Sequence, residues 1–383
     1  MTNIQSPIRR PRELAGYAQT LERSRGRRYP EPRHPYRNDY ERDRDRIVHS
    51  RAFRRLENKT QVFTHRFSDH FRTRLTHTLE VTQISRTVAG ALDLHPGLTE
   101  ALALVHDIGH PPFGHTGEEA LDGLMREFGR KFDHNLHALR IVERFEQKYA
   151  GFPGLNLTFE VREGIVKHSR DYDPASYPEL AEYLLAERPP LEAQLIDKAD
   201  ELAYNCADLD DGYESRLLAL PMIRDGLPLF ERLCRPLTKT YPAAPEKLLF
   251  NETLRRLVDL LVTDLIDATR ARIRKHQIRS VDDVRRLDQR LVGLSPDMAA
   301  ENARVKRFLQ SHLYAHPKVS AERRTITASM ERLFRHYLAH PRSLPPSYSA
   351  RNANEPAEQV VCDYIAGMTD NFFEDQYRRI FGG

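Results

Sequence analysis

Between residues 106 and 118 the chain reads His106-Asp107-Ile-Gly-His110-Pro-Pro-Phe-Gly-His115-Thr-Gly-Glu118. Three imidazoles and two carboxylates in so short a run are the residue types of metal ligation and proton transfer. With seventeen histidines in the chain, about one His-Asp dipeptide is expected by chance, so His106–Asp107 alone means little. Its surroundings mean more. Adjacent helix residues point about 100° apart, so a His-Asp pair at a helix end can grip one ion from two sides. The glycines and prolines that follow let the chain turn His110 and His115 back over that ion.

Further ligands must come from other helices. His77 lies in the stretch Arg74–Leu92, where Leu75, Leu79, Ile84, Val88 and Leu92 recur at helical spacing. On its own it would be an ordinary core or surface histidine. A second helix is predicted from an N-cap at Thr99 to Asp107, stopped by Gly109, Pro111 and Pro112. A third covers 192–211, between Pro189-Pro190 and Gly212. There Asp200, Tyr204 and Asp208 stand one above another on one face, beside a stripe of Leu195, Leu202 and Leu209. An acid, a phenol and an acid in a row beside a core-facing stripe suggest a site.

Helical runs at 133–149, 250–274, 296–315 and 357–380, with a Pro/Ser/Asn-rich loop at 341–355, extend the pattern. Only Asn156–Val161 reads as a strand. The fold class is therefore all-α, one large helical body with a C-terminal helical extension. Its expected parts are a basic flexible arm at 1–40, a core at 41–225 and a helical region packed on it at 226–383. No run approaches the ~20 apolar residues of a membrane helix. Three scattered cysteines without a CxxC pair exclude a thiolate zinc site and fit a reducing cytoplasm. The net charge of +4 hides an asymmetry, because residues 1–55 carry fifteen arginines against seven acids. Such an arm suits polyanions, and a weak, salt-dependent side affinity for single-stranded DNA is compatible with it.

The order His77, His106-Asp107, Asp200 resembles the signature of HD-domain phosphohydrolases, and more closely their deoxyguanosine triphosphate triphosphohydrolase (dNTPase) branch. The likeness runs through Asp43–Leu56, Lys59-Thr-Gln61-Val-Phe, Arg72–Val81 and the His106 loop. It continues through Phe132-Asp-His134-Asn135, Asp200–Asp208 and Asp363–Asp370. The resemblance implies one divalent ion on His77, His106, Asp107 and Asp200. Such ligation suits magnesium, manganese, iron or nickel without choosing among them. It implies a deoxynucleoside triphosphate cut at the α-phosphate, dGTP and other dNTPs, and a homo-oligomer.

The resemblance also pairs His115 with Glu118 in a catalytic dyad, with His134 as a second acid; acid and base stay unassigned between the two histidines. His110 either caps the loop or contacts phosphate, and Asn135 orients polar groups near the metal. Arg74, and after it Lys167, would bind phosphate. Tyr204 would pack under the deoxyribose, with Asp208 and Gln61 on its 3′-hydroxyl. Tyr314–Lys318 is similar to a family segment near the nucleotide. Two other functions stay open at this point: hydrolysis of another phosphoester, and a nucleic-acid-binding or regulatory role with a vestigial metal site.

Overall fold

The computed structural model describes residues 13–61 and 71–382. The first twelve residues of the expected arm, and Val62 and Phe63 of the Lys59–Phe63 motif, lie outside them. The described elements are α1 (Asp39–Val48), α2 (Arg51–Arg55), α3 (Arg74–Ala91), α4 (Pro96–Val105), α5 (Gly114–Arg126), α6 (His134–Arg140), α7 (Phe159–Val166) and α8 (Leu191–Glu214). After them come α9 (Leu220–Gly226), α10 (Pro228–Thr240), α11 (Glu246–Lys275), α12 (Val281–Arg285), α13 (Pro296–Leu309), α14 (Pro317–Ala339), α15 (Pro346–Ser349), α16 (Ala357–Ala366) and α17 (Asp370–Phe381). The all-α expectation holds. None of the described helices is long and apolar enough to cross a membrane.

Local chemistry sets the boundaries that matter for the site. Thr73 closes a capping box at the start of α3, its hydroxyl accepting from the Thr76 N–H. At the start of α4 the cap is His95, not Thr99, with Pro96 in the first turn. Asp133 caps α6 by accepting from the N–H groups of Asn135 and Leu136. The predicted strand at Asn156–Val161 is overturned. Asn156 takes a left-handed φ of 48°, Asp43 holds the Thr158 N–H and hydroxyl, and Phe159 opens α7. The last predicted helix is two helices, α16 and α17, parted at Gly367.

α3 packs on α4 and α8, and α1 closes over α4. The main core draws Val81, Ile84, Val88, Leu102, Leu195, Leu202 and Leu209 from these helices. It also takes in Ile223, Phe230 and Phe250, so it runs across the boundary expected at 225. A second core joins Leu121, Leu124 and Met125 of α5 to Met330 and Phe334 of α14, Val361 of α16 and Phe373 of α17. The C-terminal region therefore supports the helix that carries Glu118.

The expectation of a loose arm is corrected for residues 13–40. The Gln19 N–H donates to buried Glu192, the Arg25 N–H to Glu160, and Arg27 pairs with fully buried Asp43. These contacts tie the stretch to the body, so proline content alone misjudged it.

Candidate metal and phosphate centre

α3, α4 and α8 bring His77, His106, Asp107 and Asp200 together. His77 Nε2 lies 2.8 Å from Asp200 Oδ1. His106 Nε2 lies 3.4 Å from Asp107 Oδ1 and 3.8 Å from Asp200 Oδ1. His106 donates its Nδ1–H to the Ala103 carbonyl at 2.7 Å, which fixes the tautomer and leaves Nε2 bare. That Nε2 is buried without a hydrogen-bond partner among the described residues. An orphaned lone pair facing two carboxylates is what a divalent cation would satisfy. Burial opposes ionisation of Asp107, yet His106, Arg74 and His110 hold its carboxyl well below the usual range. His168 and His77 do the same for Asp200 against its own burial. His77, His106 and Asp200 gather ligand atoms within 4.8 Å of one another, with Asp107 beside His106 but held by Arg74 and His110. Imidazoles and carboxylates without sulfur fit the expected ion and leave its identity open.

The turn from α4 to α5 is built on glycine. A Cβ on Gly109 would sit 2.0 Å from the His134 carbonyl oxygen, so only glycine lets α6 dock there. Gly114 has φ +57°, and its Cβ would sit 2.9 Å from Arg74 NH2. Arg74 is buried and donates to Asp107 Oδ2 at 2.8 Å. Its Nε–H and NH2 remain buried without partners among the described residues. A guanidinium bound on one side and unsatisfied on the other is set up for an anionic oxygen.

Glu118 meets three imidazoles. Oε1 accepts from His134 Nδ1 at 2.8 Å, while Oε2 lies 3.5 Å from His110 Nδ1 and 3.9 Å from His115 Nδ1. Burial would raise this carboxyl, but His134 first and then His110 and His115 hold it far below the usual range. The close partner of Glu118 is therefore His134, which is buried and stacks on His110 at 3.9 Å between ring centroids. His115 is 56% exposed and faces Tyr204, their ring centroids 5.9 Å apart.

A cavity of about 940 Å³ opens over these groups. Its wall includes Gln61, Arg74, Asp107, His110, His115, Asp200, Tyr204 and Tyr314. His77, His106 and His134 lie behind it. Asn135 is buried and donates to the His168 carbonyl at 2.7 Å, as an orienter would.

Two sequence expectations need correction. Lys167 does not face the cavity: its ammonium is spent on Glu163, the Leu184 carbonyl and the Glu187 carbonyl, each at 2.8 Å. Asp208 is fully buried and accepts the Tyr314 hydroxyl. Burial pushes its pKa up to about 7. Asp208 thus positions Tyr314, which is the group at the wall.

Sequence reasoning missed the neighbour of Lys167. His168 Nδ1 lies 2.8 Å from Asp197 Oδ1 and its Nε2 3.6 Å from Asp200 Oδ2. Asp197, three residues before Asp200 on α8, was the available signal. Also missed were the cations Arg170, Lys198, Arg290, Lys306 and Arg323 along the wall; they are spread over five segments and form no motif.

Comparison with known proteins agrees with this geometry. The HD domain profile matches residues 74–205 and the Phosphohydrolase-associated domain profile residues 292–379. A deoxyguanosinetriphosphate triphosphohydrolase-like protein of Geobacter sulfurreducens is 46% identical over 96% of this chain and 95% of its own. One from Ralstonia nicotianae is 47% identical over 96% and 94%, and one from Bordetella pertussis 44% over 96% of each. With the HD profile covering residues 74–205 and relatives matching nearly end to end, the chain belongs to the deoxyguanosinetriphosphate triphosphohydrolase-like family of HD-domain phosphohydrolases.

Proposed function

We propose that the protein hydrolyses deoxynucleoside triphosphates, dGTP and other dNTPs, at the α-phosphate, releasing deoxynucleoside and inorganic triphosphate. The observation that carries this reading is Arg74. It grips Asp107 of the metal set and keeps two buried N–H groups unsatisfied at the cavity wall. An anionic phosphate oxygen beside the ion would meet them.

One divalent ion, magnesium, manganese, iron or nickel, on His77, His106, Asp107 and Asp200 would supply Lewis acidity and a water of lowered pKa. The residues do the rest. Arg74 binds phosphate, and Lys306 and Arg323 on the cavity wall offset the remaining charge. The leaving 5′-oxygen is a poor leaving group and needs a proton. His115, exposed to the cavity, is placed to give it, and Glu118 stabilises its cationic form. His110 and His134 fix Glu118, so His134 acts through the carboxylate. Tyr204 forms the floor for the deoxyribose and Tyr314, held by Asp208, the adjoining wall; their ring centroids lie 6.4 Å apart. A 2′-hydroxyl would meet a ring face there with no polar partner, which disfavours ribonucleotides. Gln61, whose buried Oε1 lacks a partner among the described residues, is placed to accept the 3′-hydroxyl. The proposal includes a homo-oligomer and a cytoplasmic location, with which three buried free cysteines agree.

The test is product analysis with each dNTP and NTP in magnesium or manganese. Triphosphate with free deoxynucleoside, from dNTPs and not NTPs, is expected. Release of monophosphate or diphosphate nucleotides would reject the reaction, and equal use of GTP would reject the sugar selection.

A further inference from the structure

The turn that ends α7 carries a second residue aimed at the acid–base cluster. Ser169 has a left-handed φ of 51°, which sends His168 toward Asp200 and leaves Arg170 on the opposite side. Arg290 holds this turn by donating to the carbonyls of Lys167 at 2.8 Å and Arg170 at 3.2 Å. Arg170 then reaches two carboxylates at once. NH1 donates to Asp133 Oδ2 at 2.6 Å and NH2 to Glu118 Oε1 at 3.5 Å.

Those two acids have one thing in common. Glu118 Oε1 is the atom that accepts from His134 Nδ1. Asp133, through its other oxygen, caps the helix that begins with His134. The fork of Arg170 therefore spans both groups that fix His134: Glu118 holds its ring and its N–H, and Asp133 holds the first turn of its helix through Asn135 and Leu136. Neither acid has another arginine within reach among the described residues, so Arg170 is the one group there that joins Glu118 to Asp133. Tyr172 and Asp122 complete the charged and titratable surroundings of the guanidinium.

We infer that Arg170 is a positioning residue for the Glu118–His134 pair, clamping Glu118 and the α6 cap in one arrangement so that Glu118 stays aligned behind His115. The inference rests on the proposed acid–base role of this cluster. A planar fork can hold two carboxylates in fixed geometry, whereas an ammonium cannot. Arg170 also lines the cavity, so the competing role is direct attraction of substrate phosphate. The two roles part under substitution.

The experiment compares wild type with Arg170→Gln and Arg170→Lys, in metal-loaded protein whose melting temperature and metal content are checked first. Steady-state kinetics with dGTP should show kcat falling about tenfold in both variants, with KM changed less than about twofold, because alignment and not attraction is lost. Recovery of wild-type kcat by the lysine, or a rise confined to KM, overturns the assignment in favour of phosphate attraction. Hydrogen exchange of the peptide spanning His134–Arg140 reads the clamp without any substrate. Exchange should quicken in both variants, and wild-type exchange in either overturns the inference. If the wild type leaves dNTPs intact while exchange quickens, the proposed function fails and the clamp stands.

Discussion

Replacing Glu118 by glutamine keeps the shape of the side chain and deletes its charge. In the folded protein Oε1 is 2.8 Å from His134 Nδ1 and Oε2 3.9 Å from His115 Nδ1. Two unit charges about 4 Å apart interact by about 4 kcal/mol at an effective dielectric of ~20. His115 is more than half exposed, so solvent screening reduces that to about 1.5–3 kcal/mol. The expected loss in kcat is therefore about 10- to 100-fold. The ion should stay, because His77, His106, Asp107 and Asp200 all keep their places. Burial and then Arg74 hold the His115 pKa below its ordinary value while Glu118 partly opposes them, so the variant's alkaline limb should move to still lower pH. kcat measured from pH 5.5 to 9, with metal content by elemental analysis, checks all three. Unchanged kcat, or loss of the ion, would refute the reasoning, the first by removing Glu118 from the chemistry and the second by moving it into the metal set.

Other consequences are as direct. Asp107→Ala and Asp200→Ala should lose metal and turnover together; full metal occupancy in either variant, read by elemental analysis, would falsify the ligand set. Gly114→Ala forces a side chain into a left-handed backbone against Arg74, so kcat/KM should drop at least tenfold, and an unaffected variant would show that Arg74 has room to spare. Lys167→Met should lower stability by about 1–3 kcal/mol in urea unfolding while leaving KM alone; a raised KM would return Lys167 to the phosphate site. Burial pushes Glu192 up to about 7 from 4.5. The folded state therefore holds the proton more tightly, and stability should fall as pH rises from about 4.5 to 7, by on the order of 3 kcal/mol. Glu192→Gln should remove that slope from unfolding measured at pH 5.5 and 8; an unchanged slope assigns it elsewhere.

Much of this site was legible because helical periodicity places side chains in known directions. His77 on α3, His106 and Asp107 at the end of α4, and Asp200 with Tyr204 on α8 needed only the right faces and a glycine-rich turn. What resisted was decided by tertiary packing. Lys167 and His168 are neighbours in sequence, and only the turn at Ser169 determines which enters the centre. Glu118 lies three residues from His115 and sixteen from His134, yet α6 docks on Gly109 so that the distant histidine is the closer partner. Asp208 shares a face with Asp200 and Tyr204, but Tyr314 covers it. The β-branched and aromatic run at 156–161 reads as a strand locally and becomes a turn and helix start because Asp43 takes its polar groups.

The central claim is that water attacks the α-phosphorus beside His77, His106, Asp107 and Asp200, with the 5′-oxygen leaving. Hydrolysis of dGTP in ¹⁸O-water, followed by mass spectrometry of both products, tests it most directly. One heavy oxygen in inorganic triphosphate and none in deoxyguanosine is the result the proposed reaction predicts. Label in the nucleoside, or in phosphate or pyrophosphate released beside a nucleotide, would contradict it.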